Sequence, residues 1–124
     1  MTVQELYGQI GGSYDDVRRI LPMDNLIAKF VVKFLDDKSA EALFFAWDAR
    51  DAAALFEGAH AMKGVCANIG LTALSAEASA LAEEFRPGRE RAMDDAEVQR
   101  RVDELRADYD RALEGIRAFA AEQQ

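Results

Sequence analysis

The chain has 124 residues, half of them apolar, and a formal net charge of −8. This length predicts one domain, residues 1–124, around a single core. The acidic balance excludes a nucleic-acid partner, which requires a surplus of Lys and Arg. The longest apolar run, residues 42–47, is far shorter than the ~20 residues of a membrane span. Because no signal-peptide pattern opens the sequence, we predict a cytoplasmic protein without a membrane partner.

The apolar residues recur with a helical period, and no run of alternating β-branched residues occurs, so the domain is predicted to be all-α. Up to about Leu21 we expect two short helical pieces, separated by breaks at Gly8 and at Gly11-Gly12. Ser13 is a candidate N-cap for the second piece, and Pro22 ends it.

Two further helices are predicted before residue 50. The first runs from Met23 to about Asp36. Ser39 is expected to cap the second, which continues through Trp47. Its aromatic residues Phe44, Phe45 and Trp47 are expected in the core.

Asp51 is a candidate N-cap for the next helix, which should run to about Asn68 and end at Gly70 in a left-handed C-cap position. Gly58 lies near the apolar stripe, where close approach of another helix would explain it. Cys66 is the only cysteine, and its place in the stripe predicts a buried, unreactive thiol. The stripe consists of Leu55, Ala59, Met62, Cys66 and Ile69.

The last two predicted helices begin at Thr72 and at Asp94. Pro87-Gly88 stops the first, and Asp94 with Glu97 forms a capping-box pattern for the second. The stripe of the first is Leu71, Leu74, Ala78, Leu81 and Phe85, and that of the second is Val98, Val102, Leu105, Tyr109, Ala112, Ile116 and Phe119.

Short connections between amphipathic helices favour an antiparallel four-helix up-down bundle, with the short N-terminal helical pieces across one end. The long closing helix also permits a coiled-coil dimer, but a bundle wall explains its stripe more simply, so a monomer is expected.

His60 is the only histidine, and at 100° per residue it points roughly 150° away from the centre of its helix's apolar stripe. The imidazole should therefore be exposed to water. Phe56, Lys63, Gly64 and Ala67 lie on the same face of the helix. No internal contact explains Gly64, which costs about 1 kcal/mol relative to Ala in a helix.

An exposed imidazole suits nucleophilic attack on phosphorus, because the resulting N–P bond is labile enough to pass the group on. Lys63 can supply positive charge to the transferring group. Gly64 removes a side chain that would block an incoming protein. Neither a metal site nor an ATP site is predicted, since no second histidine and no phosphate-binding loop occur.

The string His60-x-x-Lys63-Gly64, followed by Gly70 and a Leu-spaced helix, resembles the histidine phosphotransfer (HPt) domain of phosphorelays. The likeness extends from about residue 20 to 118. It implies a four-helix bundle whose His60 accepts a phosphoryl group from a response-regulator receiver domain and passes it to another receiver's aspartate. It also implies that the receiver supplies the Mg²⁺, and that a hybrid histidine kinase is a further possible partner.

Such a protein is a phosphoryl carrier without kinase activity of its own, and it needs no cofactor. We expect His60 and Lys63 to serve the transfer, and Gly64 and Ala67 to meet the partner. Phe56 is either covered by the N-terminal pieces or an exposed anchor for a receiver helix. Ala82 stands where many members of the family carry a Gln near the phosphorylated ring.

The alternative is an HPt-like module that binds a receiver or kinase domain without being phosphorylated. The starting Met and the long last helix indicate a stand-alone protein.

Overall fold

The computed structural model describes residues 1–123, which form helices joined by short turns, so the all-α prediction is confirmed. No described helix is both long and apolar enough to cross a membrane. Gln124, towards which the last helix was predicted to run, lies outside the described residues. The helices are α1 (Val3–Gln9), α2 (Tyr14–Ile20), α3 (Asp24–Lys33) with a 3-10 turn (Phe34–Asp36), α4 (Ser39–Asp48), α5 (Ala52–Asn68), α6 (Thr72–Glu84) and α7 (Asp95–Glu122).

The predicted break at Gly8 is wrong, because α1 continues through this residue to Gln9. Thr2 and Glu5 form a capping box at the start of α1, and burial of Leu6 and Tyr7 outweighs the helix penalty of one exposed glycine. The chain does break at Gly11, and Ser13 caps α2 as predicted, accepting a hydrogen bond from the Asp16 amide.

Two predictions for α4 are also wrong. Ser39 is the first residue of the helix rather than its N-cap, and the carboxylate of Asp37 accepts a hydrogen bond from the Ser39 amide at 3.0 Å. Phe45 is 76 % exposed, whereas Phe44 and Trp47 are buried. Phe45 projects about 100° round the helix from Phe44, on the side opposite the buried residues Leu43 and Trp47.

Helices α4 and α5 pack closely at Gly58, as the sequence predicted. A Cβ atom on Gly58 would lie 2.9 Å from the backbone nitrogen of Leu43 and 3.0 Å from its Cα. The missing side chain of Gly58 therefore permits the contact between the two helices.

Asp51 caps α5 as predicted, and its Oδ1 accepts a hydrogen bond from the Ala54 amide at 3.1 Å.

Gly70 ends α5 in a left-handed conformation, with φ of 71°. The Gly70 amide donates to the Ala67 carbonyl, and the Leu71 amide donates to the Cys66 carbonyl, which is the hydrogen-bond pattern of a Schellman motif. The N-terminal pieces contact this turn, since the Tyr7 hydroxyl donates to the Ile69 carbonyl at 2.6 Å. Both ends of α5 are thus held in place.

The closing helix α7 lies along the core. Asp94 caps it by accepting from the Glu97 amide at 2.8 Å, but the Glu97 carboxylate pairs with Arg100 and Arg101 instead of completing the predicted capping box. Phe34 and Phe44 each form a T-shaped contact with Tyr109, with ring centroids 6.0 Å apart. All residues of the predicted α7 stripe are buried.

Candidate phosphotransfer site

The long helix α5 buries one stripe and presents His60 on its opposite face. Four stripe residues, Leu55, Ala59, Met62 and Cys66, are at most 1 % exposed. Cys66 is buried, as predicted, and burial raises the pKa of its thiol to about 12, with a smaller contribution from Asp37. His60 is exposed, as its position on the helix predicted.

The surface one turn beyond His60 has low relief. Gly64 and Ala67 are exposed, and a Cβ atom on Gly64 would find no heavy atom within 4 Å. Packing therefore does not require this glycine, in contrast to Gly58 on the same helix. Lys63 is half-buried, and its backbone carbonyl accepts a hydrogen bond from the Ser75 hydroxyl of α6 at 3.0 Å.

On its other side, the His60 ring stacks on Phe56. The ring centroids are 5.6 Å apart and the planes differ by 17°. Phe56 is half-buried against the core, and the Arg86 guanidinium lies 5.8 Å from its ring centroid. Arg86 and the core, rather than the N-terminal pieces, are the contacts of Phe56 on this side, since the N-terminal pieces bond to Ile69 and Gly70 at the other end of α5. A role of Phe56 as an anchor for a receiver stays a prediction.

Arg86 is a residue of this site that the sequence reasoning missed. It lies just after α6 and makes a forked pair with Glu83, with nitrogen–oxygen distances of 2.8 to 3.3 Å. The Arg86 hydrogen bond lowers the pKa of the Glu83 carboxyl, and the charges of Arg89 and Lys63 lower it further. The Glu83 carboxylate thus pairs directly with Arg86, and the charges of Arg89 and Lys63 act on it from further away.

Neither neighbour of Glu83 along the chain replaces the missing glutamine. Ala82 is 3 % exposed and belongs to the core. Glu84 is 1 % exposed, and its carboxylate accepts a hydrogen bond from the Met93 amide at 2.5 Å, which ties α6 to the link before α7. Glu83, which lies between these two residues, pairs with Arg86 instead.

An apolar groove of about 410 Å³ lies between α4 and α5 beside the histidine face. Ala61, directly after His60, lines one side of it, and the exposed Phe45 lines the other. Asp51 and Glu57 add negative charge to its edge. Two of its lining residues, Glu57 and Ala61, lie within one turn of His60 on α5.

A family model for the Hpt domain matches residues 29–115, which is most of the chain and includes α5 and α6. The chain belongs to the Hpt domain family. Hpt domains are phosphocarrier modules that take part in histidine phosphotransfer in phosphorelays, where they interact with receiver domains and kinases. Comparisons with curated proteins and with solved structures gave no match.

Proposed function

We propose that this Hpt domain carries a phosphoryl group on His60 and relays it between the aspartates of receiver domains. The observation that carries the proposal is the environment of His60. Its imidazole is exposed, stacks on Phe56 and is open on the side of Gly64. An incoming protein can reach this ring without displacing a side chain at position 64.

In the proposed step, an unprotonated imidazole nitrogen of His60 attacks the phosphorus of an aspartyl phosphate. The new N–P bond forms as the P–O bond to aspartate breaks, and the carboxylate leaves with the electron pair of that bond. The proton on the other ring nitrogen stays there during the attack. The reverse step, with a second receiver's aspartate as nucleophile, passes the group on.

Phosphoryl transfer depends on positioning and on neutralising the charge of the transferring oxygens. Lys63 is our candidate for this charge on the Hpt side, because it follows His60 by one turn of α5. The receiver brings the Mg²⁺ in this proposal, and the Hpt domain needs no cofactor and no kinase activity of its own.

We propose that the receiver covers Gly64 and Ala67. The groove between α4 and α5 extends this surface, and Phe45 offers an exposed aromatic ring for the partner to bury. The acidic edge of the groove favours a partner segment that combines apolar and basic side chains. A hybrid histidine kinase is a possible source of the first phosphoryl group, and we propose a cytoplasmic monomer.

The experiment that tests the proposal compares the wild type with His60→Gln after incubation with a receiver charged by a small-molecule phosphodonor and Mg²⁺. We expect a phosphoramidate signal in the ³¹P NMR spectrum and an intact-mass gain of one phosphoryl group. Both should be acid-labile and absent from the variant.

Receiver binding should persist in His60→Gln, because the docking surface is unchanged. Continued phosphorylation of the variant would refute His60 as the site. Binding without phosphorylation of the wild type, across a panel of receivers, would favour the alternative of a receiver-binding module that is not phosphorylated.

A further inference from the structure

We propose that Phe56 is a positioning residue for the transfer: its ring fixes the plane of the His60 imidazole so that a ring nitrogen faces the incoming phosphorus. This inference rests on the proposed function and deepens it. It gives Phe56 a task different from that of a docking anchor for the receiver.

The first step is the direction of the side chains along α5. A helical side chain leans towards the N-terminus of its helix, so the residue at i covers the turn that holds i−4. His60 therefore lies over Phe56 and away from Gly64. The observed pair, with centroids 5.6 Å apart and planes 17° from parallel, is an offset stack within the favourable range of about 4.5–7 Å.

The second step is that Phe56 is itself held. It is half-buried and packs against the core on one side. The Arg86 guanidinium lies over the ring at 5.8 Å, within the distance of about 6 Å at which a cation is attracted to an aromatic face. The forked pair with Glu83 fixes Arg86 in turn. The platform under His60 is therefore anchored to α6.

The third step is that stacking is the contact available to orient this imidazole. Within residues 1–123, no hydrogen bond to a ring nitrogen of His60 is formed. An exposed side chain without such a partner changes rotamer on a ps–ns timescale. The attacking lone pair lies in the plane of the ring, so an ordered plane raises the fraction of molecules in a reactive geometry.

The test replaces the ring and keeps most of the apolar volume, in Phe56→Leu. We expect the maximal rate of transfer from a charged receiver to fall about two- to thirteenfold. This is the free energy of one aromatic pair, about 0.5–1.5 kcal/mol, converted at 1.36 kcal/mol per factor of ten. The receiver concentration at half-maximal rate should stay the same, and Phe56→Trp should restore the rate.

NMR provides a readout that does not depend on transfer. In the wild type, the carbon-bound ring protons of His60 should be shifted upfield by the ring current of Phe56, and Phe56→Leu should abolish this shift. Phe30→Leu makes the same substitution at an exposed phenylalanine of α3 and should change neither the shift nor the rate.

The outcomes separate the two proposals. A wild type with the upfield shift but no phosphorylation contradicts the proposed function and leaves the stack intact. A wild type without the shift overturns the positioning role, even if Phe56→Leu fails to fold. A wild-type maximal rate in a folded Phe56→Leu, or a loss confined to the half-maximal receiver concentration, also overturns it.

Discussion

Gly64 and Gly58 lie in the same helix, and we predict that replacing each by alanine has opposite effects on stability. A Cβ atom at position 64 meets no heavy atom within 4 Å, so Gly64→Ala should gain the full helix propensity of alanine, about 0.8–1.0 kcal/mol. For a domain of this size, that gain raises the melting temperature by about 4 °C.

At position 58, the same Cβ atom would meet the Leu43 backbone at 2.9 and 3.0 Å. Overpacking of this kind costs about 1–3 kcal/mol, which exceeds the gain in helix propensity. Gly58→Ala should therefore be destabilised by up to about 2 kcal/mol. Urea unfolding followed by circular dichroism measures both free energies.

The stabilised Gly64→Ala variant should nevertheless be a poorer partner for a receiver, and Gly64→Leu poorer still, because both add atoms to the surface beside His60. In a titration with a charged receiver, the receiver concentration at half-maximal transfer rate should rise from the wild type to Gly64→Ala and rise again in Gly64→Leu. Destabilisation of Gly64→Ala comparable to that of Gly58→Ala would show that the fold requires this glycine. Unchanged transfer in Gly64→Leu would refute the docking surface.

Three further predictions concern other parts of the molecule. Phe45→Ser should leave the free energy of unfolding within about 0.5 kcal/mol of the wild type, because Phe45 is 76 % exposed. The same variant should bind the receiver about tenfold more weakly, as measured by calorimetry. Equal affinities of the variant and the wild type would show that Phe45 is not part of the interface. Burial, with repulsion from Glu104, raises the pKa of the Glu77 carboxyl, one oxygen of which is buried without a hydrogen-bond partner. The folded state therefore binds the proton more tightly than the unfolded state, and stability falls as the pH rises through the raised pKa. Glu77→Gln should be more stable than the wild type at pH 7, and urea unfolding near pH 4 should show a smaller difference; the same difference at both pH values would contradict this. Native Cys66 should resist a thiol reagent at pH 8 until the chain is unfolded, because burial raises the pKa of its thiol to about 12; stoichiometric reaction of the folded protein would contradict its burial.

The sequence was sufficient to predict the features of α5 that arise within one helix. The buried stripe, the Asp51 cap, the Gly70 C-cap and the exposure of His60 all follow from helical periodicity and capping preferences. Such features depend on residues within about one turn of each other, so a single sequence carries them.

The stack of Arg86, Phe56 and His60 could not be predicted in this way, because it depends on how α6 packs against α5. The signals in the sequence were the charged link after α6 and the spacing of four between Phe56 and His60, but neither specifies that an arginine covers the phenylalanine. Phe45 is a different case: its apolar side chain favours burial, but its position on the helix, opposite Leu43 and Trp47, exposes it.

The most direct test of the central claim is whether the chain gives up the phosphoryl group that it accepts. The domain is loaded with ³²P from a labelled receiver, purified, and mixed with an unlabelled receiver and Mg²⁺. We predict that the label moves to the second receiver and changes there from acid-labile to base-labile, as a phosphoramidate becomes an acyl phosphate. Label that stays on the domain, or that is lost only to water, would contradict a relay through His60.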